Sequence, residues 1–146
     1  MTLEKRCVSP FPAEVSADPV AQALLGEPGA AASESRALVP VGAKPLGEWG
    51  ETRLANFLDG QGLKPNKPFI TPLGPRYPDR LLNGVSYESK AGLNVGLTPS
   101  MEGQIAKDAY LIENNVVKGV EWHFWRGAKP ELVEALQKNG IKVVIH

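Results

Sequence analysis

A single cysteine, two histidines and a formal net charge of zero exclude several kinds of function before any motif is considered. Cys7, as the only cysteine, leaves no intramolecular disulfide and no cysteine-rich metal site. His123 and His146 are too few for a histidine-based zinc site or a Ser-His-Asp triad to be expected. Sixteen Lys and Arg balance sixteen Asp and Glu, so no global basic field announces a polyanionic partner, and a nucleic-acid binder would need a local patch. No apolar run reaches the roughly 18 residues a membrane span requires, so no membrane association is expected. Lys5-Arg6 is not followed by an apolar segment, so no signal peptide is expected. What remains is 146 residues, enough for one domain with a real core and some extra length.

The extra length lies at the N-terminal side. Residues 1–46 are rich in Ala and Pro and contain the low-complexity run Gly29-Ala30-Ala31-Ala32-Ser33. They read as a linker or loosely wrapped arm, with one short helix expected from an Asp18 N-cap and Pro19 through Leu25 to Gly26. Residues 47–146 read as the globular domain.

The stretch from Arg76 to Lys90 organises that domain. Asn83-Gly84 is the signature of a two-residue type I′ hairpin turn, because both central residues must accept positive φ. Counting outward pairs Leu82 with Val85, Leu81 with Ser86, Arg80 with Tyr87 and Asp79 with Glu88. Strand alternation then puts Asp79, Glu88 and Lys90 on one face. Asp79 and Glu88 would be a non-hydrogen-bonded pair with Cα atoms about 4.5 Å apart. Two carboxylates so placed repel each other. A solvated hairpin face could carry such charges, but a divalent cation would require them, because Mg²⁺ takes carboxylate oxygens and phosphate together. Lys90 on the same face could orient an attacking water or stabilise charge on a phosphate.

Pro78-Asp79 followed by Glu88-Ser89-Lys90 resembles the PD-(D/E)xK signature of nucleases with the restriction-endonuclease-like fold. The resemblance implies an α/β fold, a mixed sheet flanked by helices with an αβββαβ core and an added C-terminal helix–strand unit. It implies a Mg²⁺-dependent (or Mn²⁺-dependent) phosphodiesterase with Asp79, Glu88 and a backbone carbonyl near Ser89 as metal ligands and Lys90 positioning water. An acid on the first core helix often adds a ligand in this family. Glu51 fits that place, with Glu48 as its rival. A polar residue on the following helix often points to the site, and Gln104 is the candidate. The Gln-x-x-x-Tyr pattern of one nuclease branch would need Tyr where Asp108 stands.

The rest of the domain is read from caps and periodicity. Gly47 to Gly60 reads as a helix burying Leu54, Phe57 and Leu58, with Glu48 and Glu51 in a first turn whose dipole favours acids. Phe69-Ile70-Thr71 is a short strand, and Leu73-Gly74-Pro75 a break. Arg76 and Arg80 read as solvated arginines, with contact to a nucleic-acid backbone as the alternative. Ala91–Leu97 is a glycine-punctuated loop whose N–H groups could meet a phosphate. Thr98 caps a helix with Met101, Ile105, Ala109 and Ile112 on its buried face. Val120 to Trp125 is a strand with Val120, Trp122 and Phe124 inward; Glu121, His123 and Trp125 face out, where the two rings could stack on bases or pack under a helix. Pro130–Asn139 is a helix, and Ile141–Ile145 a last strand parallel to its predecessor.

By resemblance, a compact nuclease domain behind an Ala/Pro-rich tether is similar to the C-terminal toxin domains of bacterial polymorphic toxins. Such a domain would be secreted or delivered into the cytoplasm of a target cell, cut DNA in preference to RNA, and be neutralised by an immunity protein. A stand-alone cytoplasmic repair or restriction nuclease is the alternative enzyme. A non-catalytic interaction domain on the same fold is the alternative outside enzymes.

Overall fold

The computed structural model describes residues 39–146, so the expected helix at Asp18–Gly26 and most of the 1–46 arm lie outside the described residues. The first described helix, α1 (Ala43–Phe57), begins ahead of Gly47. Pro45 falls in its first turn, where a missing N–H costs nothing. Glu48 and Glu51 consequently lie beyond the first turn, which holds no acid, and the dipole does not account for them. Leu54 and Leu58 are buried as expected, whereas Phe57 is half exposed. Left-handed Asp59 and Gly60 end the helix.

Two strands follow where one was expected. β1 (Phe69–Thr71) pairs antiparallel with β2 (Gly74–Arg76), which the sequence presented as a break. Gly74 and Pro75 are weak strand formers, and the pairing is held by register Phe69↔Arg76 to Thr71↔Gly74. This two-stranded sheet stands apart from the main one, so β1 does not join the main sheet as the αβββαβ core would have it.

The main sheet has the order β3-β4-β5-β6. β3 (Arg80–Leu82) and β4 (Val85–Lys90) form the expected hairpin, with Asn83 at φ 52° and Gly84 at φ 81°. Leu82↔Val85, Leu81↔Ser86 and Arg80↔Tyr87 pair in the expected register. The ladder ends there. Asp79 is not paired flat against Glu88; its N–H turns onto Tyr87 O at 3.0 Å.

α2 (Pro99–Glu113) starts at Thr98, whose side chain accepts from Met101 N. It crosses to β5 (Gly119–Phe124), parallel to β4, and α3 (Pro130–Lys138) crosses to β6 (Lys142–Ile145), parallel to β5. The architecture is thus mixed α/β, with helices on a mixed sheet. Val120, Trp122 and Phe124 pack with Ile105, Leu111, Leu132 and Leu136 of α2 and α3. Leu54, Leu58 and Tyr87, with Trp125, form a second cluster under α1. That second cluster corrects the reading of His123. The ring lies beneath α1 and is 0% exposed, because the face expected to meet solvent is the one α1 covers. Among the described residues, no helix is long and apolar enough to cross a membrane.

Candidate active site

Alternation along β4 sends Ser86, Glu88 and Lys90 toward α2, and Tyr87 and Ser89 toward α1. Glu88 is 7% exposed and is gripped from both sides. Its Oε1 accepts from Arg76 Nη2 at 3.1 Å, and its Oε2 meets Lys90 Nζ at 2.9 Å. Lys90 Nζ also donates to Gln104 Oε1 at 2.9 Å and sits 4.9 Å over the Trp122 ring. The expected trio of Glu88, Lys90 and Gln104 is therefore one connected group.

Sequence reasoning missed the residues behind it. Arg76 is neither solvated nor free for a nucleic-acid backbone. It is 7% exposed and forms a fork on Asp108, with Nε to Oδ1 at 2.8 Å and Nη2 to Oδ2 at 3.0 Å. Burial works against the Arg76 charge, and the Glu88 and Asp108 carboxylates outweigh it, so its pKa is raised. Asp108 is 0% exposed, and its Oδ2 also accepts from Trp122 Nε1 at 2.9 Å. A charged residue on the buried stripe of α2 was the available signal, since an isolated buried carboxylate demands a partner. Arg80 is likewise occupied, donating to Gln61 O and Gly62 O.

Asp79 stands at the turn into β3. Its Oδ2 accepts from Ser89 N at 2.8 Å, and Oδ1 has no hydrogen-bond partner among the described residues. Burial first, then the neighbouring Glu88 charge, push its pKa up to about 7 against the pull of the Ser89 N–H. Glu51 adds to that upward push and so faces the same region. Its carboxylate is nonetheless taken by Lys64 at 2.6 Å. Lys64 has a raised pKa, chiefly from that hydrogen bond, with Asp79 and Glu88 contributing. Glu48 faces Lys44 at 3.9 Å on the open side of α1. Among the described residues, no group of three or more His, Cys, Asp or Glu is drawn together as a ready metal cage.

Ser89 links the site to α1. Its Oγ accepts from Trp125 Nε1 at 2.9 Å, and a Cβ on Gly50 would lie 2.8 Å from that oxygen. Trp125 is stacked on His146 at 3.9 Å, with Arg53 over its ring, so its ring is spent on packing. In the loop after β4, Asn94 and Val95 give their N–H groups to Arg126 O and Gly127 O, leaving neither for a phosphate.

No family model matches the chain, and comparison with curated proteins and with solved structures returns no match.

Proposed function

We propose that this domain is a metal-dependent nuclease that hydrolyses phosphodiester bonds, with DNA the favoured substrate. The observation that carries the reading is Asp79, a half-buried carboxylate with one oxygen unpartnered among the described residues, held beside Glu88 so that its pKa rises to about 7. Such a group is poised to exchange a proton for a cation. The donor set fits Mg²⁺ or Mn²⁺: two carboxylates, oxygen ligands alone, and lone pairs left on both.

Asp79 and Glu88 would hold the ion, with the Ser89 carbonyl beside them and Glu51 at the rim once Lys64 releases it. A cation there polarises the scissile phosphate and neutralises charge that develops on it. Lys90 orients the attacking water, and Gln104 fixes its ammonium. Arg76 and Asp108 hold Glu88 at the position where it serves. The hairpin bearing Glu88 and Lys90, with Asp79 just ahead of its first strand, followed by a helix and a parallel strand, supports the restriction-endonuclease-like reading. The Ala/Pro-rich residues 1–46 support a delivered toxin acting in a target-cell cytoplasm, with an immunity partner; a repair or restriction nuclease is the alternative.

One observation favours a second reading. Arg76 and Lys90 already contact both oxygens of Glu88, which suits a non-catalytic interaction domain whose ion pairs are structural. Purified protein tested on plasmid DNA and total RNA, with Mg²⁺ or Mn²⁺ and with chelator, separates the two. Metal-dependent cleavage lost in folded Asp79→Ala and Lys90→Ala proteins supports the nuclease. Cleavage that survives both substitutions removes this site from consideration. Absence of cleavage, with no metal-induced rise in melting temperature, leaves the interaction domain.

A further inference from the structure

The small β1–β2 sheet presents two unlike faces. Phe69, Thr71 and Arg76 point inward, Phe69 against the main core and Arg76 into the Asp108–Glu88 pair. The outward positions are Ile70, paired across the ladder with Pro75, then Pro72 and Leu73 at the tip and Tyr77 beyond Arg76. Ile70 is 75%, Leu73 61% and Tyr77 55% exposed. From Pro68 to Pro78 the sole charged residue is Arg76, and it is buried. A contiguous apolar face of this kind marks a surface that meets something.

Its position says what. Arg76, on the inner face, fastens the hairpin to Glu88, and Tyr77 on the outer face lies two residues ahead of Asp79, so the Tyr77 end of that face leads directly into the proposed catalytic group. Of the four basic residues from Gln61 to Arg80, Arg76 and Arg80 are engaged within the fold and Lys64 pairs with Glu51. Lys67 is exposed just ahead of β1, and Lys107 of α2 donates to Pro75 O, so lysines stand at the margin of the hairpin. Apolar and aromatic side chains with a basic margin suit a strand whose bases are turned outward. A duplex keeps its bases stacked inside and offers phosphate rails, which this face is poorly made to hold. On the α1 side Phe57 is also half exposed but lies edge-on against His123 and His146, and Trp125 is stacked on His146; Tyr77 is the exposed ring of this hairpin.

We infer that the outer face of the β1–β2 hairpin, with Tyr77 as its stacking ring, binds unpaired bases next to the scissile phosphate, so that single-stranded or locally unpaired nucleic acid is the substrate. This rests on the nuclease reading. The test is fluorescence anisotropy with a labelled single strand, the matching blunt duplex, and a strand with abasic sugars, all in chelator so that no cleavage intervenes. The full chain is compared with Tyr77→Ala, Tyr77→Phe and Ile70→Ser/Leu73→Ser, each confirmed folded by circular dichroism.

Tyr77→Ala weakens single-strand binding about tenfold, the double variant weakens it as well, and Tyr77→Phe retains it. Duplex binding stays unchanged, and the abasic strand does not distinguish Tyr77→Ala from the parent. If the parent cleaves with metal but the variants bind single strands as it does, the hairpin inference is overturned and the nuclease stands. A parent that neither binds nor cleaves nucleic acid overturns both. A self-association in sedimentation that the double variant abolishes, with strand binding intact, assigns the face to a second copy and also overturns the inference.

Discussion

Asp79 holds two bonds at once: its main-chain N–H reaches Tyr87 O and its Oδ2 caps Ser89 N. The second bond favours the ionised form, yet burial and Glu88 dominate and the pKa stands at about 7. Protons and metal should therefore compete for this oxygen pair near neutrality. Mn²⁺ affinity measured by calorimetry is expected to fall about tenfold between pH 8 and pH 6, and Asp79→Asn should abolish that dependence along with most of the binding. A pH-independent affinity in the parent would remove Asp79 as a ligand. The shared face of Glu88 and Lys90 was legible because a turn fixes strand neighbours by counting, whereas Asp79 leaves the counted ladder and Gln104 follows from the resemblance alone. Arg76 and Asp108 were not legible, because their contact spans 32 residues and depends on how α2 lies against β2. Arg76→Met leaves Asp108 buried without its fork, and denaturant unfolding should show a loss of about 3–5 kcal/mol. Adding Asp108→Leu should return much of that loss, since an apolar pair replaces an orphaned charge.

At the scale of elements, α1 holds two glycines with unlike roles. The helix starts at Ala43, ahead of the expected Gly47, since Pro45 fits its first turn. It runs through Gly47 and Gly50, which stand in different surroundings. A Cβ on Gly47 meets nothing within 4 Å, whereas one on Gly50 would lie 2.8 Å from Ser89 Oγ and 2.9 Å from Ala91 Cβ. Gly50 is thus the point where α1 approaches β4 closely enough to seat the Trp125–Ser89 bond. Gly47→Ala should stabilise by up to about 1 kcal/mol through helix propensity. Gly50→Ala should destabilise by about 1–3 kcal/mol despite the same propensity gain, because the helix must back away from the sheet. Urea titrations of the two variants check this, and equal shifts would mean that the close approach carries no weight. The crossover helices and their parallel strands were readable from caps and alternation. β2 was not, since Gly74 and Pro75 form a strand through pairing with β1 and carry no strand propensity of their own.

Over the whole molecule, the buried histidines and Asp79 respond to acid in opposite senses. On the α1 side, His123 lies between Glu121 and His146, with ring nitrogens 3.0 Å from Glu121 Oε1 and 2.8 Å from His146 Nε2. Burial lowers the pKa of both rings, that of His146 to about 4 with the help of the His123 and Arg53 charges. Unfolded histidines titrate near 6.5, so the unfolded chain binds more protons below that value and stability falls as pH drops from about 6.5 toward 4. Asp79 does the reverse. Its native pKa of about 7 lies above the unfolded value of about 3.9, so the native state holds the extra proton and stability falls as pH rises through that window. The two slopes oppose each other between about pH 4 and 7, and the parent should have a shallow stability profile there. Asp79→Asn removes one side of the balance. Its melting temperature should climb with pH across that range more steeply than the parent's, with the largest gain over the parent above pH 7, where the parent bears an ionised Asp79. Parallel calorimetric profiles for the two proteins would mean that Asp79 ionises as an ordinary carboxylate, and the charge tension at the head of β3 would no longer call for a cation.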